Sequence, residues 1–191
     1  MKTTRILMVA ATLLLASCAF AKAKTEPLDV DVVGRTLPEL VRGSDLVVVG
    51  SVLGEAGTVN FARDPNDITR PHPTTESIAQ LYRVRVDEAI KGGPKGEITV
   101  AVSRWSGTVG QAGRVDWPQF IPYEVGQRYA LFLRLVPQPV GQYFVVAEPG
   151  RFKVGPQVVV QSPWRHASEV FPARDLGSFM GELHSAAEGR P

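Results

Sequence analysis

The chain has 191 residues, 44% of them apolar and 21% charged, a balance that suits a globular domain and excludes a disordered one. Setting aside Lys2 and Arg5, the only charges before Cys18, the 21 basic residues fall to 19 and match the 19 acidic ones. A remainder so balanced has no global field for gathering nucleic acid, and its single cysteine excludes a disulfide framework.

Lys2 and Arg5 precede an apolar run, Ile6 to Ala16, that is too short to span a bilayer, so residues 1–17 are expected to be a secretory signal. Leu15-Ala16-Ser17-Cys18 matches a lipobox, in which Cys18 would be acylated and become the first mature residue. Ala19-Phe20-Ala21 offers a competing site for ordinary cleavage. The first reading makes an outer-membrane lipoprotein facing the periplasm, attached to the membrane through its N-terminal lipid. The second makes a soluble periplasmic or secreted protein.

Residues 18–35 read as a tether. Thr36 to Gly43 has a cap, an early proline, an acidic first turn and a terminal glycine, the marks of a short helix. Asp45 to Leu53 is β-branched and apolar throughout, as in a buried strand, with Gly50 marking a bulge. Residues 54–77 are polar and carry prolines, which predicts a long exposed loop. Leu81 to Ile90 alternates: Leu81, Arg83, Arg85 and Asp87 on a wet face, and Tyr82, Val84, Val86 and, after a bulge, Ala89 and Ile90 on a dry one. After the turn Lys91 to Gly96, Glu97 to Ser103 is expected to pair back as an antiparallel hairpin.

Residues 104–125 form a second long connection, followed by strands at Arg128 to Val136, Tyr143 to Ala147, Arg151 to Val154 and Val158 to Gln161. Leu176, Phe179, Met180 and Leu183 recur at helical spacing within Ala173 to Ala187, predicting an amphipathic helix. The fold class expected is mainly β, with a domain over 36–162 and a C-terminal helical extension over 163–191.

Three segments carry a resemblance: Asp45-Leu46-Val47-Val48-Val49-Gly50, Val86-Asp87-Glu88-Ala89-Ile90-Lys91-Gly92, and Val125-Gly126-Gln127-Arg128-Tyr129-Ala130-Leu131-Phe132-Leu133. Their order resembles bacterial envelope proteins of the OB-fold type, likened to the tissue-inhibitor-of-metalloproteinases and netrin module. The resemblance spans roughly residues 36–160 and implies a five-stranded, partly open Greek-key barrel. The eukaryotic inhibitors act through N-terminal cysteines and a free terminal amine. This chain has one cysteine, so their mechanism does not carry over.

No constellation reads as catalytic. His72, His166 and His184 lack metal-pair spacing, Ser106 lacks a nucleophile elbow, and Asp87 and Glu88 point to opposite faces of a strand. The glycine-rich stretch Gly107 to Gly113 lacks the lysine of a phosphate loop. No metal or cofactor is expected.

Trp105, Trp117, Phe120 and Tyr123 concentrate in one connection, with Arg104 beside them, and rings of this kind favour binding surfaces. The plainer reading is that they cap an open barrel end. The expectation is a non-enzymatic binding module of the cell envelope whose partner is an envelope protein or ligand, or a structural accessory of an envelope complex. The contrasting class is an envelope hydrolase, which a pocket joining His166 to an acidic residue would favour.

Overall fold

The computed structural model describes residues 36–93, 96–109, 115–116, 120–136, 144–163 and 166–189. The expected signal and tether lie outside them. Helix α1 (Leu37–Gly43) opens as its sequence suggests: Thr36 Oγ1 accepts a hydrogen bond from the Glu39 amide, and Leu37, Leu40 and Val41 are buried. Strands β1 (Leu46–Asn60), β2 (Arg63–Asp64), β3 (Asp67–Pro71), β4 (Thr75–Lys91), β5 (Gly96–Thr108) and β6 (Val115–Asp116) follow in order. Then come β7 (Arg128–Leu135), β8 (Phe144–Val154), β9 (Gln157–Val160), α2 (Ala167–Val170), β10 (Arg174–Asp175) and α3 (Leu176–Ala187).

The large sheet curls into a closed ring. β1 pairs antiparallel with β4 and with β7, β4 with β5, and β7 with β8. The ring closes where β5 runs parallel to β8, with Val100 beside Phe144 and Ala101 beside Val145. β9 and β10 extend the sheet outward from β8. All five ring strands contribute to one apolar cluster, including Leu46, Val48, Tyr82, Val84, Val100, Tyr129 and Leu131, with Phe144 and Val146 packed against it. That cluster is the barrel interior.

A second core lies outside the ring. Val47 and Val49 join Leu37, Leu40, Phe132, Phe152, Phe179 and Leu183 under helices α1 and α3. β1 is therefore buried on both faces, and this explains its unbroken apolar run. At Gly50 the register slips, and a Cβ there would sit 2.6 Å from the Arg85 carbonyl oxygen. The C-terminal α3 belongs to this outer core, its first turn capped by Asp175, whose carboxylate accepts from the Ser178 amide at 2.8 Å. Glu88 holds it from β4, 3.1 Å from His184 Nε2.

Lys91 secures the other helix. Its Nζ donates to the carbonyls of Val41 at 2.8 Å and Ser44 at 2.6 Å, satisfying acceptors that the end of α1 leaves open. Gly92 follows at φ +88°, packed so that a Cβ would lie 2.6 Å from the Asp45 carbonyl oxygen.

The expected hairpin is present: β4 and β5 pair from Val86 and Gly96 outward, with Tyr82 and Val84 buried while Arg83 and Arg85 are exposed. Several details differ from the sequence reading: residues 104–108 continue β5 rather than begin a loop, the two strands expected within 143–154 are the single strand β8, and Ala89 is exposed. Leu81 is buried, because Ala79 and Ala101 share its side of the sheet and Val59, Phe61 and Val145 pack over them. Residues 54–77 are mostly strand rather than loop: β1 continues to Asn60 against β4, and β2 and β3 form a hairpin between them. Most of this arm lies beyond the main core; Val59 and Phe61 pack over Leu81, but the rest has no buried face to fill and its strands read as polar. Asn60 holds its base, with Oδ1 accepting from the amides of Ala62 and Ser77 at 2.9 Å each.

Candidate functional site

Residues 120–124 form a strap across one end of the barrel, and three cations pin it. Arg104, on β5, places its guanidinium carbon 5.9 Å from the centre of the Phe120 ring. Arg151, on β8, donates from Nη1 to the Ile121 carbonyl at 2.7 Å and lies 4.7 Å over the Tyr123 ring. Lys153, two residues on, donates to both carboxylate oxygens of Glu124, at 2.8 and 2.7 Å.

Tyr123 is the plug. It is 4% exposed and meets Tyr82 and Tyr129 edge-on, at 5.1 and 5.0 Å between centroids. Burial pushes its phenol well above the usual range, with the Arg151 charge opposing. Its hydroxyl makes no hydrogen bond of ordinary geometry among the described residues.

Arg151 is 3% exposed, and its Nε also donates to the Gln161 carbonyl, so one buried cation ties the strap to the end of β9. Beside it Glu148 accepts from Ser162 Oγ at 2.6 Å. Burial raises the Glu148 pKa, against the lowering effects of that hydrogen bond and of Arg151. Outside this pair opens a cleft of about 360 Å³ lined by Ile121, Val160, Gln161, Ser162, Pro163, Ala167 and Ser168.

Above the plug the barrel end carries a second set of groups. Gln80, 4% exposed, donates from Nε2 to the Gly57 carbonyl at 2.7 Å. Its Oε1 accepts from Arg104 Nη1 at 3.3 Å. Between Ile78 and Ala79 the β4–β5 register shifts so that Arg104 is the extra residue, and Trp105 then stands opposite Ile78. Arg104 is exposed, while Trp105 and Phe120 are half-buried.

The expected binding residues thus fall into three places. Arg104, Trp105 and Phe120 come together at the barrel end, Tyr123 lies beneath them in the core, and Trp117 and Cys18 lie outside the described residues. The sequence reading passed over Gln80, Glu148 and Arg151. Gln80 and Arg151 announced themselves faintly, as polar residues in line with Tyr82 and Leu131 on strands whose partners are apolar.

The histidines stand apart from one another. His72 Nδ1 accepts from the Thr75 amide at 3.0 Å, which holds a turn. His166 Nδ1 lies 3.1 Å from Glu169 Oε2 on the surface, three residues along the same turn. Among the described residues no group of three or more His, Cys, Asp or Glu could hold a metal ion. No helix among them is long and apolar enough to cross a membrane. No protein-family model, curated protein or solved structure matches the chain.

Proposed function

We propose that this protein is a barrel of the OB type, exported to the bacterial envelope and anchored there through Cys18, which binds a partner without chemistry at the face bearing Arg104, Trp105 and Phe120. The ring order β1-β4-β5-β8-β7, closed by one parallel pairing, supports the OB reading and its likeness to the inhibitor and netrin module. Barrels of that type bind ligands on the face of their second and third strands and the adjoining loops. Here those strands are β4 and β5, which carry Gln80 and then Arg104 and Trp105.

The observation that carries the reading is the division of labour at this end. Tyr123 and the pinned strap seal the core, so the rings above it are not needed as a plug. A rigid, half-exposed aromatic surface on a braced support is what binding requires, since few rotors remain to be frozen.

Immobilised wild-type protein is expected to retain an envelope component that the Trp105→Ala variant releases, while both melt within a few degrees of each other. A large fall in melting temperature with retention unchanged would refute the assignment.

A further inference from the structure

We infer that the group recognised at this face is a carboxylate, gripped by the Nε–Nη2 edge of Arg104; this rests on the binding reading above and names its ligand chemistry. Arg104 is exposed, yet it is fixed at two points, by Gln80 Oε1 at 3.3 Å and by the Phe120 ring. Gln80 is itself buried and locked by its bond to the Gly57 carbonyl. A buried amide that orients a surface guanidinium does little for the core. It removes rotamer freedom from an arginine that would otherwise roam, and so lowers the entropy lost when a ligand binds.

The geometry also selects the ligand. Gln80 takes Nη1, which leaves the Nε–Nη2 edge, the side whose two parallel N–H bonds match the two oxygens of a carboxylate. No carboxylate pairs with Arg104 among the described side chains, a property it shares with Arg42, Arg63, Arg134 and Arg151; what sets it apart is that it is exposed and yet held by Gln80 and Phe120. The nearest other cations of the strap are occupied, Arg151 by two carbonyls and Lys153 by Glu124. A single guanidinium with no carboxylate partner among the described residues suits a planar monoanion better than a phosphate, which draws on several cations. Trp105 and Phe120 beside it favour a carboxylate flanked by apolar atoms, as in an acidic peptide segment.

The test is a titration of the isotopically labelled mature chain with N-acetyl-aspartyl-phenylalaninamide, following the Arg104 Nε–H and Trp105 indole N–H resonances. Both should shift and saturate in the millimolar range. The asparaginyl analogue should bind at least about tenfold more weakly, as should the aspartyl peptide to Arg104→Lys, which keeps the charge and loses the fork. Equal binding of the two peptides, or tighter binding of inorganic phosphate than of acetate, would overturn the carboxylate while leaving the binding face intact. Absence of any shift up to about 20 mM would overturn it too. Envelope capture lost in Trp105→Ala but kept in Arg104→Lys would separate the two claims in the same way.

Discussion

Replacing Tyr123 by alanine should destabilise the barrel by about 3–5 kcal/mol, the usual range for a large aromatic removed from a core. The magnitude follows from the surroundings. A tyrosine of this kind buries roughly 150–250 Å², which at about 25 cal/mol per Å² corresponds to about 4–6 kcal/mol of transfer free energy as an upper bound. The alanine keeps its Cβ, and the loss of two edge-on contacts, to Tyr82 and Tyr129, offsets that saving. Phenylalanine at the same position should behave differently. The hydroxyl is buried without a well-formed hydrogen bond among the described residues, so removing it should leave stability within about 1 kcal/mol of the original or raise it. Urea unfolding followed by tryptophan fluorescence distinguishes the two. At an m-value of about 2 kcal/mol/M, the alanine variant should lose about 2 M in midpoint while the phenylalanine variant keeps its own. An unchanged midpoint in Tyr123→Ala would refute the plug, and an equal loss in both variants would show that the hydroxyl, rather than the ring, does the holding.

Glu148 makes stability depend on pH. Its folded pKa lies above the ordinary 4.5, so its contribution is complete below that value and is lost as pH rises through the folded one; Glu148→Gln should flatten this slope and melt higher at neutral pH. Lys91→Met should lower stability by about 1–3 kcal/mol in equilibrium unfolding, because it strands carbonyls at the end of α1. Val84→Asp should prevent folding or cost several kcal/mol, as measured by circular dichroism, since it places an unpaired charge inside the barrel. Cys18→Ala should move the protein from the membrane fraction to the soluble periplasm. A wild-type protein already soluble, with Lys22 at its mature terminus, would end the lipid-anchor proposal.

The fold was legible wherever burial imposed a pattern. β1 and β7 read as unbroken apolar runs because both their faces are covered, and the β4–β5 hairpin and α3 read from the alternation and helical spacing of Val, Leu and Phe. The arm from Glu55 to Ile78 was not, because its pairing rests on backbone bonds and on the Asn60 side chain, and polar strands carry no hydrophobic rhythm. Leu81 misled for a related reason. Two arginines share its parity, and only the outward packing of Ala79 and Ala101 under Phe61 makes that position dry.

The site was half legible, and the physical reason lies in how it is assembled. Clustering of Arg104, Trp105, Phe120 and Tyr123 in one stretch gave away the neighbourhood, since rings so close in sequence must share a region of space. Their separate roles depend on residues far along the chain. Tyr123 becomes a plug because Tyr82, Tyr129 and Arg151 arrive around it from β4, β7 and β8. Arg104 becomes a fixed guanidinium because Gln80 stands across the hairpin, and Gln80 can do so only because Gly57 offers it a carbonyl from β1. A contact chain through three strands leaves no local pattern, so a polar residue at an inward position of a strand is the trace that remains. Gln80 and Arg151 are both of that kind, and both end by holding the barrel end in place: one through Arg104, the other through the strap itself.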